Sequence, residues 1–191
     1  MTDNFPNWFG LTARANFERF LSEYRGREFR ALQIGAFVGH ATEWICQSIG
    51  EKALVDDVDT WEGSDEAAHN QMDWRAVARA YKARVKPYRK RVTVHHMTSD
   101  DFFFPAIYDR KGTYDFVYID GDHTAEQVHS DAVNGWEVLK PGGIMAFDDY
   151  TWRSGKGPKH DPYPAIVWFL ATHQDELDIL EVNAQVWVRK R

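Results

Sequence analysis

The sequence has little of several features that would assign a chain to a special class of protein. Its 191 residues include one cysteine, Cys46, so no internal disulfide can form, and its net charge of −6 disfavours a nucleic-acid partner. No apolar run approaches the length of a membrane span, and the N-terminus lacks a signal-peptide pattern. We therefore expect a cytoplasmic protein with no nucleic-acid or membrane partner, and we interpret Cys46 as a small buried side chain on a helix.

The order of the predicted elements indicates an α/β fold. A helical segment is predicted in residues 1–29, and strands alternate with helices in a single domain over residues 30–191. The predicted strands are 30–34, 53–58, 92–96, 116–119, 144–147, 177–182 and 185–189. The predicted helices are 39–49, 66–85, 100–109 with an interruption at Pro105, 125–139 and 165–174. This order predicts a doubly wound, mostly parallel seven-stranded sheet, and the short link between the last two strands makes them an antiparallel hairpin.

Acidic residues follow two neighbouring strands of this predicted sheet. Asp120 and Asp122 come after one strand, and Asp148 and Asp149 come after the next, with a helix between. Because parallel strands end at the same edge of a sheet, we expect Asp120, Asp148 and Asp149 to lie close together. Three carboxylates suit a hard divalent cation such as Mg²⁺. The alternative is that Asp120 and Asp122 only cap the helix that begins near Thr124.

A glycine-containing turn follows the first predicted strand. Gly35 permits a tight turn or a close approach by a ligand, and Gly39 stands at the start of the next helix. Two glycines at this spacing do not match the G-x-G-x-x-G dinucleotide fingerprint. The second strand is followed by Asp59 and Thr60, where an acid is placed to bind a ribose diol.

Together these motifs resemble those of class I S-adenosylmethionine-dependent methyltransferases. The chain is most similar to a small bacterial family with an I-D-G-D/S-H strand end and a K-x-G-G…D-D-Y strand end. That family is related to catechol, caffeoyl-CoA and antibiotic-sugar O-methyltransferases. The resemblance extends from about Arg30 to Lys190 and implies the Rossmann-like methyltransferase fold.

The resemblance also implies roles for individual residues. The cofactor, S-adenosylmethionine, is expected to contact Gln33, Gly35, Ala36, Phe37, Gly39, Thr42, Asp59, Thr60, Ser99, Asp100 and Asp120. A divalent cation, Mg²⁺ or another, is expected at Asp120, Asp148 and Asp149. Gln33 departs from the family, which commonly has glutamate there, and a neutral amide accepts a hydrogen bond without charge assistance.

The catalytic base has two candidates. His123 stands where catechol-type enzymes have a lysine base, and Asp122 stands where related sugar O-methyltransferases have their proposed base. His123 has the more suitable intrinsic pKa, whereas Asp122 needs burial or a metal to act as a base. The expected reaction is methyl transfer to a hydroxyl of a small molecule or sugar.

Three other readings of the sequence remain open. They are a metal-independent methyltransferase, a non-catalytic cofactor-binding module, which Gln33 favours, and a nicotinamide dehydrogenase, which the missing fingerprint disfavours. The loop 151–164 is expected to overhang the acceptor pocket, with Arg153, Lys156 and Lys159 available to attract an anionic substrate. Phe5, Trp8 and Phe9 suit a lid or a partner surface, and the sequence is compatible with a homodimer.

Overall fold

Seven strands form one sheet at the centre of the molecule. The computed structural model describes residues 5–66 and 68–191. The strand order is β3-β2-β1-β4-β5-β7-β6. The strands are β1 Phe29–Ile34, β2 Ala53–Asp59, β3 Val92–His96, β4 Tyr114–Ile119, β5 Leu139–Phe147, β6 Leu177–Val182 and β7 Val186–Lys190. β7 is antiparallel to β5 and β6, and the other neighbouring pairs are parallel, which confirms the predicted fold class.

Helices cover both faces of the sheet. They are α1 Trp8–Thr12, α2 Arg14–Leu21, α3 His40–Ser48, α4 Trp74–Val85, α5 Ser99–Asp109, α6 Ala125–Val138 and α7 Tyr163–Thr172. β4 shows how the strands serve the two faces, because successive side chains of a strand point in opposite directions. Val117 and Ile119 belong to the core beneath α5, α6 and α7, while Phe116 and Tyr118 belong to the core beneath α2 and α3.

The N-terminal helices are part of the same core. Phe17 of α2 is fully buried, and its ring makes edge-on contacts with Trp44, Phe116, Tyr118 and Trp187 at centroid distances of 5.0–5.5 Å. Burial of one such aromatic side chain contributes roughly 1.5–3 kcal/mol. The segment predicted over residues 1–29 therefore helps to hold the sheet, although its first four residues lie outside the described part of the chain.

Two helix predictions were wrong in detail. The helix predicted to begin at residue 66 begins at Trp74, because the side chain of Asp73 accepts a hydrogen bond from the backbone N–H of Ala76 and caps it. A short 3₁₀ turn, His69–Gln71, precedes it, and residue 67 lies outside the described residues. The interruption predicted at Pro105 is absent from the described course of α5, which is continuous through that residue. Proline removes one N–H, whose partner would be the carbonyl of the exposed Asp101.

Cys46 lies on the buried face of α3, as expected, and burial raises the pKa of its thiol to about 11. Within residues 5–66 and 68–191, no helix combines the length and the apolar character needed to span a membrane.

Candidate active site

A cavity of about 480 Å³ opens at the carboxyl edge of the sheet, above the ends of β1, β2, β4 and β5. β1 and β4 are neighbours in the sheet, and the chain winds away from them in opposite directions. A crevice at such a point is where open α/β sheets bind ligands. The predicted site residues that line it are Gly35, Phe37, Asp59, Thr60, Ser99, Asp120, Asp122, His123, Asp148 and Asp149. Those not among the lining residues are Gln33, Ala36, Gly39, Thr42 and Asp100.

The turn after β1 needs glycine at position 35 for two reasons. Gly35 has φ +85°, in the left-handed region, and a Cβ there would lie 1.9 Å from the carbonyl oxygen of Asp120. Phe37, two residues later, also has a positive φ, +47°, which is uncommon for a bulky residue. The turn after β1 therefore approaches the end of β4 too closely for any side chain at position 35. We call the part of the cavity formed by Gly35, Phe37 and Asp59 the glycine-turn end.

Asp59 holds this turn in shape. One carboxylate oxygen accepts hydrogen bonds from the backbone N–H groups of Ala36 and Phe37 at 2.8 and 2.9 Å, and the other accepts from Trp61 at 2.6 Å. Burial raises the pKa of Asp59, and these three donors oppose the rise. Both oxygens therefore support the protein backbone, so the ribose contact predicted for Asp59 would share oxygens already engaged.

Gln33 and Thr42 lie behind the turn rather than on the cavity wall. The Gln33 amide donates to the carbonyl of Gly35 at 2.8 Å, and its oxygen lies 3.1 Å from the Thr42 hydroxyl. That hydroxyl is also 2.8 Å from a carboxylate oxygen of Asp57, to which the Tyr81 hydroxyl donates at 2.5 Å. Burial raises the pKa of Asp57 to about 7, against these two hydrogen bonds. Gln33 thus takes part in a buried polar network that supports the turn.

Gln127 of α6 completes the wall beyond β3, and sequence reasoning missed it. Its amide donates to the Ser99 hydroxyl at 3.0 Å and to carboxylate oxygens of Asp100 and Asp131 at 3.3 and 3.1 Å. Asp100 also accepts from the hydroxyl of Ser130 at 2.9 Å. Ser99 therefore faces the cavity, while Asp100 is turned towards α6.

The opposite part of the cavity, the acid end, is formed by Asp120, His123, Asp148 and Asp149. Burial and then the charge of Asp148 raise the pKa of Asp120 well above its usual range. Burial and the charge of Asp149 raise the pKa of Asp148 to about 6. Carboxylates placed this close together favour uptake of a proton or a cation.

His123 lies among these acids with little exposure to solvent. Its Nε2 is 3.0 Å from Asp149 and 3.9 Å from Asp120, and its Nδ1 is 3.0 Å from Glu66. Within the described residues neither nitrogen has a hydrogen bond of good geometry, although both are within reach of carboxylates. Burial lowers the pKa of His123, but the surrounding carboxylates outweigh it and raise the value well above that of a free imidazole.

Asp120, His123 and Asp149 can each offer one ligand atom within 4.8 Å of the other two. We call these three residues the ligand group. Two carboxylates and an incompletely bonded imidazole are a suitable donor set for a divalent cation. Asp148, which the sequence also places in the metal site, lies outside this group of three; its carboxylate accepts hydrogen bonds from the hydroxyl of Tyr118 and, at 2.8 Å, from the backbone N–H of Asp149.

Asp149 has φ +56°, in the left-handed region, where aspartate and asparagine are more common than other non-glycine residues. This conformation turns its side chain back towards His123. Asp122 accepts a hydrogen bond from the backbone N–H of Thr124 at 2.7 Å, just before α6. The helix-end role considered for Asp122 therefore has a structural basis, whereas Asp120 belongs to the ligand group.

The loop after β2 brings three polar residues to the cavity that no sequence motif marked: Ser64, Glu66 and His69. The Ser64 hydroxyl lies 2.6 Å from Glu66 and 2.8 Å from Nδ1 of His69. Burial raises the pKa of Glu66, but contact with His123 and Ser64 outweighs it and lowers the value to about 2. These residues were not predicted as part of the site, because the sequence indicated a helix from residue 66.

Aromatic side chains form much of the remaining wall. Trp8 stacks on Phe37 with ring centroids 4.7 Å apart, and Trp152 lies 5.1 Å from the His123 ring. Trp74 also lines the cavity, whereas Trp61 is buried and donates from its indole N–H to the carbonyl of Phe37. The N-terminal aromatics thus pack over the glycine-turn end.

Lys156 in the loop after β5 reaches across to the loop after β2. Its ammonium contacts the carbonyl and the carboxylate of Asp65 at 2.7 and 2.8 Å. The guanidinium of Arg153 lies over the Tyr163 ring at 4.7 Å. Both cations make contacts within the protein while 47% and 42% of the Arg153 and Lys156 side chains stay exposed, and their attraction of an anionic substrate stays a prediction.

Comparison with known proteins identifies a family that this chain matches. A family model for a methyltransferase domain matches residues 32–150, which is more than half of the chain. None of the curated proteins matched the chain in sequence.

Solved structures share the fold at low sequence identity. An O-methyltransferase from Bacillus cereus, in complex with S-adenosylhomocysteine, has a TM-score of 0.67 and 15% identity, covering 94% of this chain and 81% of that one. TomG from Streptomyces achromogenes, an O-methyltransferase of tomaymycin synthesis solved with S-adenosylmethionine, has a TM-score of 0.65 and 12% identity, covering 92% and 78%.

MycE of the mycinamycin pathway, solved with Mg, S-adenosylhomocysteine and mycinamycin VI, has a TM-score of 0.63 and 16% identity. The alignment covers 99% of this chain and 51% of MycE, so the chain spans about half the length of that enzyme. At these identities the likeness shows the fold, whereas the family match covers sequence motifs as well. The chain therefore belongs to the methyltransferase-domain family, and its fold is that of the class I S-adenosylmethionine-dependent methyltransferases.

Proposed function

We propose that this protein transfers the methyl group of S-adenosylmethionine to a hydroxyl of a small molecule or sugar, with assistance from a divalent cation. One observation carries the proposal. The ligand group and the glycine turn open into the same cavity, and the carbonyl of Asp120 lies directly beneath Gly35. A cofactor above the turn and an acceptor at the acid end would then be neighbours, as in-line displacement requires.

The cofactor supplies an electrophilic methyl group, so the protein must position the acceptor and remove its proton. A divalent cation, when bound, would stabilise the negative charge of the acceptor oxygen. Asp120 and Asp149 would hold it, with Asp148 as the third ligand, so that His123 stays available to take the proton of the acceptor. Mg²⁺ and Mn²⁺ suit such an all-carboxylate set.

We assign the base role to His123 in preference to Asp122. The Nε2 atom of His123 faces the acid end, where the acceptor hydroxyl would lie. Asp122 is engaged by the backbone N–H of Thr124, although its side chain also lines the cavity. A cation held by Asp120 and Asp149 would offset their charges and weaken the attraction that keeps a proton on His123, so that more of the ring would be in the neutral form that accepts a proton.

A metal-independent methyltransferase is the second candidate. It is favoured by the contacts of Asp148, whose carboxylate is engaged by Tyr118 and by the backbone of Asp149. In that case His123 would act with its flanking acids alone. The cytoplasmic location, the absence of nucleic-acid partners and a homodimeric state stay predictions from sequence.

The decisive experiment is calorimetric titration with S-adenosylhomocysteine, with excess Mg²⁺ and with a chelator, followed by a methyl-transfer assay on a panel of hydroxylated acceptors. We expect binding at about micromolar, roughly −8 kcal/mol, in at least one condition. Turnover that a chelator leaves undiminished would support the metal-independent candidate. No binding up to millimolar ligand would count against both and favour a module that has lost the chemistry.

A further inference from the structure

The two nitrogens of the His123 ring face different groups. Nε2 faces Asp149 and Asp120 of the ligand group, at 3.0 and 3.9 Å. Nδ1 faces Glu66, which comes from the loop after β2, at 3.0 Å. Carboxylates therefore face the ring from two sides, and only one of these sides is the acid end.

Glu66 is itself fixed in place. Only 11% of its side chain is exposed, its carboxylate accepts a hydrogen bond from the Ser64 hydroxyl at 2.6 Å, and its backbone N–H donates to the Ser64 carbonyl at 2.8 Å. The neighbouring Asp65 is joined to Lys156 of the loop after β5. A carboxylate with so few free conformations can fix the orientation of the ring it contacts.

Glu66 stands apart from the ligand group. Among the described residues, the atoms that converge on a possible cation come from Asp120, His123 and Asp149, not from Glu66. Its carboxylate oxygen lies on the Nδ1 side of the ring, and the ligand group lies on the Nε2 side. A role for Glu66 therefore has to pass through the imidazole.

We propose that Glu66 is a positioning residue that holds the Nδ1–H of His123, so that Nε2 is the nitrogen directed at the acceptor. The catalytic role in this inference rests on the proposed function, whereas the contact between Glu66 and His123 is independent of it. In a neutral imidazole one nitrogen carries the proton and the other accepts, and the partner of one determines the state of the other. A carboxylate on Nδ1 fixes both the orientation and the tautomer that a base at Nε2 requires.

The kinetic test compares two changes at Glu66 with a matched control in the same loop. We expect Glu66→Ala to lower kcat by about 10–100-fold, the range for loss of such a supporting partner, with little change in KM for S-adenosylmethionine. Glu66→Gln should recover most of the rate, because its amide oxygen can still accept from Nδ1–H. Glu62→Ala, an exposed carboxylate four residues earlier, should behave as wild type. Equal losses in the Gln and Ala variants would overturn the proposal.

A double-mutant cycle tests whether Glu66 acts through the ring. If it does, Glu66→Ala will cause little further loss in a His123→Ala background. Additive losses would show an independent role and contradict the inference.

A spectroscopic test separates this inference from the proposed function. In protein with ¹⁵N-labelled histidine, the wild type should show a slowly exchanging Nδ1–H signal, assigned by its absence in His123→Asn. That signal should disappear in Glu66→Ala and remain in Glu66→Gln. If the wild type neither binds S-adenosylhomocysteine nor transfers methyl groups, the proposed function fails while this signal still decides the contact. An unchanged signal in Glu66→Ala would disprove the positioning role even in an active enzyme.

Discussion

The two ends of the cavity are built on opposite electrostatic principles. At the glycine-turn end, the one carboxylate, Asp59, accepts three backbone hydrogen bonds, and Gln33 is bonded behind it. At the acid end, burial and mutual repulsion raise the pKa values of Asp120 and Asp148. The protein completes the first end with its own backbone, whereas the second end has an excess of negative charge. We infer that the first end is formed in advance and that the second depends on a proton or a cation.

The largest expected effect comes from a substitution at the glycine-turn end. In Asp59→Asn, an NH₂ group would face backbone N–H donors in a buried site. We expect the free energy of unfolding to fall by about 3 kcal/mol, and the Tm to fall by about 6–12 °C. Affinity for S-adenosylhomocysteine should fall with it. Thermal denaturation and calorimetry measure both, with Glu62→Gln, at an exposed position, as control. An unchanged Tm would show that the turn keeps its conformation without the hydrogen bonds to Asp59.

At the acid end, we expect metal binding to stabilise the folded protein. Saturation with Mg²⁺ or Mn²⁺ should raise the Tm, because a cation at one hundred times its Kd stabilises the folded state by about 2.7 kcal/mol. Asp120→Asn removes one member of the ligand group and should abolish most of that shift.

The control for the metal experiment is Asp122→Asn, at the same strand end but outside the ligand group. It should keep the metal-dependent shift in Tm. If both variants lose the shift equally, the cation does not bind where the ligand group converges.

Asp57 gives a pH-dependent test of the network beneath the turn. Burial raises its pKa to about 7, so between pH 4 and pH 7 the folded protein binds a proton that the unfolded chain has lost. This contribution to stability is therefore present at low pH and is lost as the pH rises through 7. Asp57→Asn keeps the acceptor for Thr42 and Tyr81, and its stability relative to the wild type should rise by about 2.5 kcal/mol between pH 5 and pH 8. Melting curves across this range check the sign; a constant difference would refute it.

The smallest effect tests the aromatic cover of the glycine-turn end. Trp8 stacks on Phe37, and such pairs contribute about 0.5–1.5 kcal/mol. Trp8→Ala should therefore weaken S-adenosylhomocysteine binding by roughly two- to tenfold. Leu11→Ala, on the same helix and 81% exposed, should leave affinity unchanged. Equal affinities of the two variants would mean that α1 is not a lid.

The fold and the acid end could be predicted from sequence because each depends on a short-range pattern. Apolar strands ending in acid gave the positions of Asp120, Asp148 and Asp149, and parallel topology placed them at one edge. The same reasoning could not assign the partners of Asp148. Its contact with Tyr118 depends on the orientation of a side chain within the sheet, which strand periodicity does not specify.

Glu66 could not be predicted because its importance is entirely tertiary. It stands 57 positions before His123, in a stretch whose alternation of alanine and polar residues fits a helix equally well. Asp73 was the missed signal, since an aspartate before an amphipathic run is a common helix cap. Starting the helix there would have placed Glu66 in a connecting segment at the carboxyl edge of the sheet. It would not have shown that Glu66 contacts His123.

The left-handed backbone at Asp149 restricts which residues can occupy that position at all. Most side chains at φ +56° incur a steric cost. In a saturation library at this codon, most variants would therefore lose stability whatever the chemistry of their side chain. Glycine, asparagine and aspartate tolerate this conformation, and of these three only asparagine and aspartate bring a side-chain oxygen to the cavity. The backbone thus leaves a choice between a neutral and a charged ligand, a single step that adjusts the charge of the acid end without altering its shape.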